Sequence, residues 1–284
     1  MLPENIHDSG GGNTQPWDIE FRALSAGYGT HTVLNDISAI LPGGKITVIL
    51  GGSGCGKSTL LRHIIGLTRP LAGTLLLGGA DIFSLGKTGF RRLRRRMGVL
   101  FQDGALLGSL SVVQNVALPL SEHLRLPKNL VREAGLRALR MVGLEEFADF
   151  YPNQLSGGMR KRAGLARAIV AEPRVLLCDE PTSGLDPVTA ARMDALLLSM
   201  SRRYASMTTV VVSHDLASLR TIADHVLVLG EGRALFCGKP AELEASTDPY
   251  LRQFLQREAG EVENGGWTPQ APAVTAALEH WLQR

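Results

Sequence analysis

Gly51-Gly52-Ser53-Gly54-Cys55-Gly56-Lys57-Ser58 follows the apolar run 46–50 and leads into residues 59–67, which have helical periodicity. The segment fits the phosphate-loop pattern G-x-x-x-x-G-K-S in the strand, loop and helix context that the pattern requires. Glycines let the backbone wrap closely, so that its N–H groups and the helix N-terminus face phosphate oxygens. Lys57 then supplies a point charge to the β- and γ-phosphates of a nucleotide, and Ser58 a hydroxyl to Mg²⁺. The alternative is an ordinary glycine-rich turn, which the register and the flanking elements argue against.

Outward from this loop, short β-like runs alternate with helical patterns, which predicts an α/β fold with a mainly parallel sheet. The strand candidates are 46–50, 97–101, 174–178, 208–212 and 225–229. Residues 19–41 alternate and predict an N-terminal antiparallel β region. Between 103 and 172 strand patterns vanish, and 112–120, 128–142 and 157–171 predict an inserted helical subdomain. Pro119, Pro127 and Pro152 are expected at the boundaries of those helices. The expected organisation is a flexible N-terminus over 1–15, one main domain over 16–258, and a linker with a short helix over 259–284.

Composition bounds the function classes. Hydrophobic residues at 44% and charged residues at 20% of 284 suit a globular protein with a sizeable core. A net charge of +3 is too small to imply nucleic acid without a localised basic patch. Arg91, Arg92, Arg94, Arg95 and Arg96 are the nearest thing to one, and a solvated helix face is the expected reading of such a run. Base stacking would need interleaved aromatics, and only Phe90 lies at its edge. No apolar run approaches the roughly 18 residues of a membrane-spanning helix, and the N-terminus lacks a signal-peptide layout, so a cytoplasmic chain is expected. Three cysteines, Cys55, Cys178 and Cys237, fit neither a disulfide framework nor a zinc site.

Two further segments carry chemistry. Val175-Leu176-Leu177-Cys178-Asp179-Glu180 reads as a buried strand ending in two acids, as expected of a central parallel strand whose C-terminal edge carries a site. Asp179 would hold Mg²⁺ through water and Glu180 would polarise an attacking water; alone, such acids also serve as helix caps. Leu155-Ser156-Gly157-Gly158-Met159 opens a long helix, and a serine with two glycines there offers a second anion site or a plain N-cap.

Over residues 18–258 these segments, in this order, resemble the ATP-binding-cassette ATPases. The resemblance implies roles for single residues. Tyr28 is the aromatic on adenine, Gly51 to Ser58 with Thr59 the phosphate loop, and Gln102 the glutamine reaching Mg²⁺ and water. Ser156, Gly157, Gly158 and Met159 match the signature sequence, with Met159 where glutamine is more usual. Asp179 is the metal position and Glu180 the base. Ser183, Gly184, Leu185 and Asp186 form the loop crossing a dimer interface, and His214 is the switch histidine. Taken singly, Tyr28 reads equally as a strand tyrosine and His214 as a strand-end histidine. The resemblance further implies ATP and Mg²⁺ as ligands and a head-to-tail homodimer, since each motif occurs once. It also implies a multi-spanning membrane permease as partner, with Leu106 and Leu107 either in its docking groove or in the helical core.

Finer features resemble the branch serving Mce-domain lipid transporters: residues 101–107, 112–120, 155–162 and 245–255, with Gly108 where that branch often has an acid. That branch implies phospholipid transport, an Mce-domain protein, an optional STAS-domain subunit, and a peripheral place on the cytoplasmic face of the inner membrane. An importer of amino acids or other small solutes would use the same engine. Val274, Ala277, Leu278, Trp281 and Leu282 are spaced as one helical face, and a tether to another subunit is expected of the tail.

Overall fold

The structure is a computed structural model that describes residues 15–29, 31–256, 273–274 and 281. Its contacts divide the chain into two compact units, Met1–Leu243 and Glu244–Arg284.

In the first unit, β1 (Ile19–Tyr28), β2 (His31–Leu41), β4 (Ala72–Leu77) and β5 (Ala80–Asp81) form an antiparallel sheet in the order β2-β1-β4-β5. A second sheet takes the order β10-β9-β3-β8-β7-β6. Its strands β3 (Ile46–Gly51), β6 (Met97–Leu100), β7 (Val175–Asp179), β8 (Thr208–Val212) and β9 (His225–Gly230) run parallel. The edge strand β10 (Arg233–Gly238) pairs antiparallel to β9. The β3 and β8 strands are buried at every position, which is why they read as unbroken apolar or β-branched runs rather than alternating ones.

The phosphate loop feeds α1 (Lys57–Ile64), which touches strands of both sheets. Its Leu60, Leu61 and Ile64 are buried in the cluster that holds Leu24 and Leu34 of one sheet and Ile49, Leu177 and Val210 of the other. At roughly 1.5–3 kcal/mol for each fully buried aliphatic side chain, that face anchors the loop to the core. After α2 (Lys87–Arg94) and β6 come α3 (Val112–His123), α4 (Lys128–Met141) and α5 (Gly157–Ile169), which pack on one another, with α5 against β6. Gly98 of β6 makes that contact possible, since a Cβ there would lie 2.1 Å from the carbonyl oxygen of Ala168. The remaining helices of this unit are α6 (Pro187–Arg203), α7 (Leu216–Ile222) and α8 (Pro240–Glu244), the last reaching one residue past the division. The second unit carries α9 (Pro249–Gln256).

The expected strands and helices are found within a few residues, and the strand-free insertion holds among the described residues from 101 to 174. Pro119 departs from expectation, because it lies inside α3. The helix continues for a turn beyond it, with Leu120 buried and its carbonyl accepting from Leu124 N–H at 2.9 Å. Pro127 and Pro152 do stand at helix starts. Ala273, Val274 and Trp281 are helical; the rest of the expected tail helix, and residues 1–14 of the N-terminus expected to be flexible, lie outside the described residues.

Candidate active site

The C-terminal ends of the parallel strands β3, β8, β7 and β6 share one sheet edge, the place where open α/β sheets bind ligands. Each end delivers one expected motif: the phosphate loop after β3, His214 after β8, Asp179 and Glu180 at β7, and Gln102 after β6. Register explains the convergence, because Leu177 and Asp179 of β7 lie level with Val210 and Val212 of β8.

Two kinds of glycine shape the phosphate loop. Gly51 and Gly56 are confined: their Cβ atoms would lie 2.3 Å from Leu229 O and 2.4 Å from Leu34 Cδ2, and Gly56 caps α1 at φ 105°. Gly52 and Gly54 face open space, with no heavy atom within 4 Å of a built Cβ. The loop is thus clamped at Gly51 and Gly56 and open at Gly52 and Gly54. Lys57 Nζ bridges the loop by donating to Gly51 O at 2.7 Å and Gly52 O at 2.8 Å. Ser53 and Ser58 are exposed, Cys55 is buried under the loop, and Thr59 is buried in α1.

Asp179 is half-buried, and its carboxyl is pushed above the usual range by burial and then by the neighbouring Glu180 charge. Arg62 and Lys57 pull it back down, so the loop, α1 and the strand end share one electrostatic site. Glu180 turns the chain at φ 49°, a left-handed backbone that costs a side-chain-bearing residue about 1–3 kcal/mol. Its N–H donates to Val212 O at 2.9 Å, which ties the turn to β8. Its Oε2 is buried and pairs with His214 Nδ1 at 2.7 Å, with no further partner. His214 itself is largely exposed.

Tyr28 presents an exposed ring, and its hydroxyl accepts from Arg62 Nη1 at 2.8 Å. Gln102 is exposed, two residues past β6. The chain beyond it is stapled by buried Asn115, which accepts from Leu107 N–H and donates to the carbonyls of Leu107, Leu110 and Ser111. Arg167 of α5 donates to the carbonyls of Gly104 and Ala105.

Ser156 caps α5 by accepting from Met159 N–H at 3.3 Å, while Ser156 and Gly157 face solvent. Gly158 packs so closely on α6 that a Cβ would lie 2.7 Å from Thr189 Cγ2. That puts the signature segment against the loop Ser183, Gly184, Leu185 and Asp186, whose last residue caps α6 by accepting from Val188 and Thr189 N–H. The cap hydrogen bond from Thr189 holds the Asp186 carboxyl below the usual range.

Arg62, Asn115, Arg167 and Lys161 act at the site without having been singled out for these contacts. Lys161 carried a legible signal: it heads the stripe Lys161, Gly164, Leu165, Ala168, a charge on an otherwise apolar i, i+3, i+4, i+7 face. Arg91, Arg92, Arg94 and Arg95 are exposed as expected and Arg96 is partly buried, yet Arg92, Arg94, Arg95 and Arg96 also line a cavity of about 690 Å³ with Arg167 and Arg174.

A nucleotide and Mg²⁺ fit these residues. The loop is open at Gly52 and Gly54, and Ser58, Gln102 and Asp179 offer the few oxygen ligands that Mg²⁺ accepts beside waters and substrate phosphates.

Comparison with known proteins agrees. The ABC transporter family model matches residues 34–183. The intermembrane phospholipid transport system ATP-binding protein MlaF of Escherichia coli is 40% identical over 237 residues, 84% of this chain and 88% of that protein. The probable ribonucleotide transport ATP-binding protein mkl of Mycobacterium leprae is 39% identical over 237 residues, 84% of this chain and 68% of that protein. A solved dimeric ATP-binding cassette in a post-hydrolysis state, bound to ADP and Pi, superposes with a TM-score of 0.71 at 30% identity, covering 78% of this chain and 98% of its own. The cbiO1 protein of Clostridium perfringens gives a TM-score of 0.74 at 29% identity, over 93% of this chain and all of that one. The chain belongs to the ABC transporter family, as one of its ATP-hydrolysing cassettes.

Proposed function

We propose that two copies of this chain clasp two ATP molecules head to tail and that their closing and opening drive a membrane permease in phospholipid transport. The observation that carries the chemistry is the pairing of Glu180 Oε2 with His214 Nδ1 at 2.7 Å on the sheet edge that presents the phosphate loop. In this reading Tyr28 stacks on adenine, and the amides of Gly51 to Ser58 and Thr59 hold the phosphates. Lys57 turns from the loop carbonyls to the β- and γ-phosphates. Glu180 takes the proton of the attacking water, Gln102 orients that water, and His214 steadies the γ-phosphate. Ser58, Gln102 and, through water, Asp179 would hold Mg²⁺, which would supply charge neutralisation at the phosphates.

Ser156, Gly157, Gly158 and Met159 face the γ-phosphate bound by the opposite protomer, with Ser183, Gly184, Leu185 and Asp186 along the interface. Solvent exposure of Ser156 and Gly157 supports this, since a helix N-terminus with free N–H groups is a ready anion site. The permease segment docks beside the Gln102 loop, where Leu107 is 47% exposed. Among the described residues no helix is long and apolar enough to cross a membrane, consistent with a peripheral subunit on the cytoplasmic face of the inner membrane.

The phospholipid assignment rests on the MlaF relatives and the branch-like segments around Gln102 and Ser156. An Mce-domain protein is the further partner it implies, with a STAS-domain subunit as an optional one. Purification of the assembled complex from its membrane tests it: a multi-spanning permease, an Mce-domain protein and phospholipid should come with the chain. Recovery with an amino-acid-binding protein, or with a ribonucleotide permease of the kind the Mycobacterium relative's name describes, would overturn the lipid reading.

A further inference from the structure

The ammonium group of Lys161, on the signature helix α5, donates to the carbonyl oxygens of Glu180 at 3.0 Å and Ser183 at 2.5 Å. The residue is only 5% exposed. A lysine is almost never buried so deeply unless its charge is met. Here it is met by two backbone carbonyls and by the charges of Asp103 and Glu180, which oppose the loss of charge that burial favours.

These partners belong to the parts that must act together. Asp103 adjoins Gln102, Glu180 is the proposed base, and Ser183 begins the interface loop. Lys161 itself lies one turn beyond Ser156 and Gly157, the residues that meet the other protomer's nucleotide in the proposed dimer. Glu180 also carries the left-handed backbone at φ 49°, a conformation that persists only where surrounding contacts hold it. Its N–H is held by Val212 O, and its carbonyl is held by Lys161.

We propose that Lys161 is a positioning residue for Glu180: it fixes the strained peptide that aims the carboxylate, and it ties that aim to the signature helix. The inference rests on Glu180 being the base. Charge-assisted hydrogen bonds to a carbonyl are about twice as strong as neutral ones, so one side chain suffices to hold two turns of chain. Through this link, an α5 pulled toward nucleotide at the opposite site also sets the carboxylate of its own protomer. Sub-ångström errors in such an aim lower the rate of the chemical step and leave the phosphate cradle untouched.

The test uses the purified full-length chain with MgATP. Lys161→Met should cut kcat about 10- to 10²-fold, the scale of a misplacement near 1 Å, with KM for ATP within twofold of wild type. Lys161→Arg, which keeps charge and donors, should retain at least half of kcat. In a Glu180→Gln background, Lys161→Met should cost less than a further twofold, because the carboxylate it positions is gone. A normal kcat in Lys161→Met, absence of rescue by arginine, or a full multiplicative loss in the double variant would overturn the proposal. Should Lys161→Met fold poorly, Lys161→Gln, a shorter donor, is read in the same way. If Glu180→Gln alone turns over ATP normally, the base assignment falls and this proposal falls with it. If Glu180→Gln is crippled and Lys161→Met is not, only the lysine proposal falls.

Discussion

At Glu180 two demands meet in one residue. The carboxylate needs a partner that holds it in place, and the backbone needs a turn that aims it. The His214 contact at 2.7 Å answers the first and φ 49° the second. Glu180→Gln keeps the shape and removes the basicity. It should bind ATP normally, turn over about 10²–10⁴-fold slower, and accumulate an ATP-bound dimer on size-exclusion chromatography. Unchanged turnover would place water activation elsewhere. Tyr28 makes a separable contribution, because Arg62 holds its hydroxyl while its ring stays exposed. Tyr28→Ala should weaken ATP binding about tenfold, within the ~1–3 kcal/mol of base–aromatic stacking, whereas Tyr28→Phe should lose little. Titration with a fluorescent ATP analogue reads both, and equal losses would argue against stacking. The identity of these residues was legible in the sequence, since Glu180 ends an apolar run and Tyr28 precedes a glycine. The strain at Glu180 and the Arg62 tether were not, because both arise from segments far apart in the chain.

Among the elements, the loop between β6 and α3 is held more firmly than a loop of this composition suggests. Asn115 satisfies four backbone groups of 107–111, and Gly104, at φ 76°, packs with its Cβ position 2.6 Å from Arg160 O. Asn115→Ala would remove the acceptor of Leu107 N–H and the amide donor to Leu110 O, whereas the Leu107 and Ser111 carbonyls keep the N–H groups of Leu110 and Asn115, and should cost about 1–3 kcal/mol by chemical denaturation. ATPase stimulation by the permease should fall more than basal turnover, since the loop joins the two. A variant as stable as wild type would mean that water replaces the amide. Strands buried on both faces were readable as continuous apolar runs, and α3 to α5 from their periodicity. The β10 strand was not, because its exposure alternates between partial and full and only pairing with β9 makes it a strand. The β4 strand likewise opens on exposed Ala72 and Gly73 and owes its form to β1. Pro119 misled for a related reason: burial of Val116, Ala117 and Leu120 carries α3 through a residue that would end an isolated helix.

For the whole molecule, the decisive feature is that each motif occurs once, with the phosphate loop clamped in the sheet core and Ser156 and Gly157 facing solvent. In the proposed function a single copy thus holds two half-sites, and a head-to-tail pair would make each whole. Mixing variants measures this directly. Lys57→Ala disables the phosphate loop of its own protomer, and Gly157→Asp disables the signature half. An acid at 157 has room in the free chain, where the nearest atom to its Cβ is Arg160 Nη2 at 3.9 Å, so the fold should survive. In the closed pair the same acid would face the γ-phosphate, a like-charge contact in a poorly hydrated cleft. Each variant alone should lose most turnover, because both sites of its homodimer are broken. In a mixed dimer the two lesions fall in one site, since the Lys57→Ala loop meets the Gly157→Asp signature. The other site then pairs an intact loop with an intact signature. Mixing equal amounts should therefore restore activity toward a quarter of wild type, half of the dimers being mixed and each having one good site, provided the sites fire independently. If firing requires both, the mixture should stay silent while tagged protomers still co-purify with ATP. Gly157→Asp turning over ATP normally as a monomer would show that each chain completes its own site.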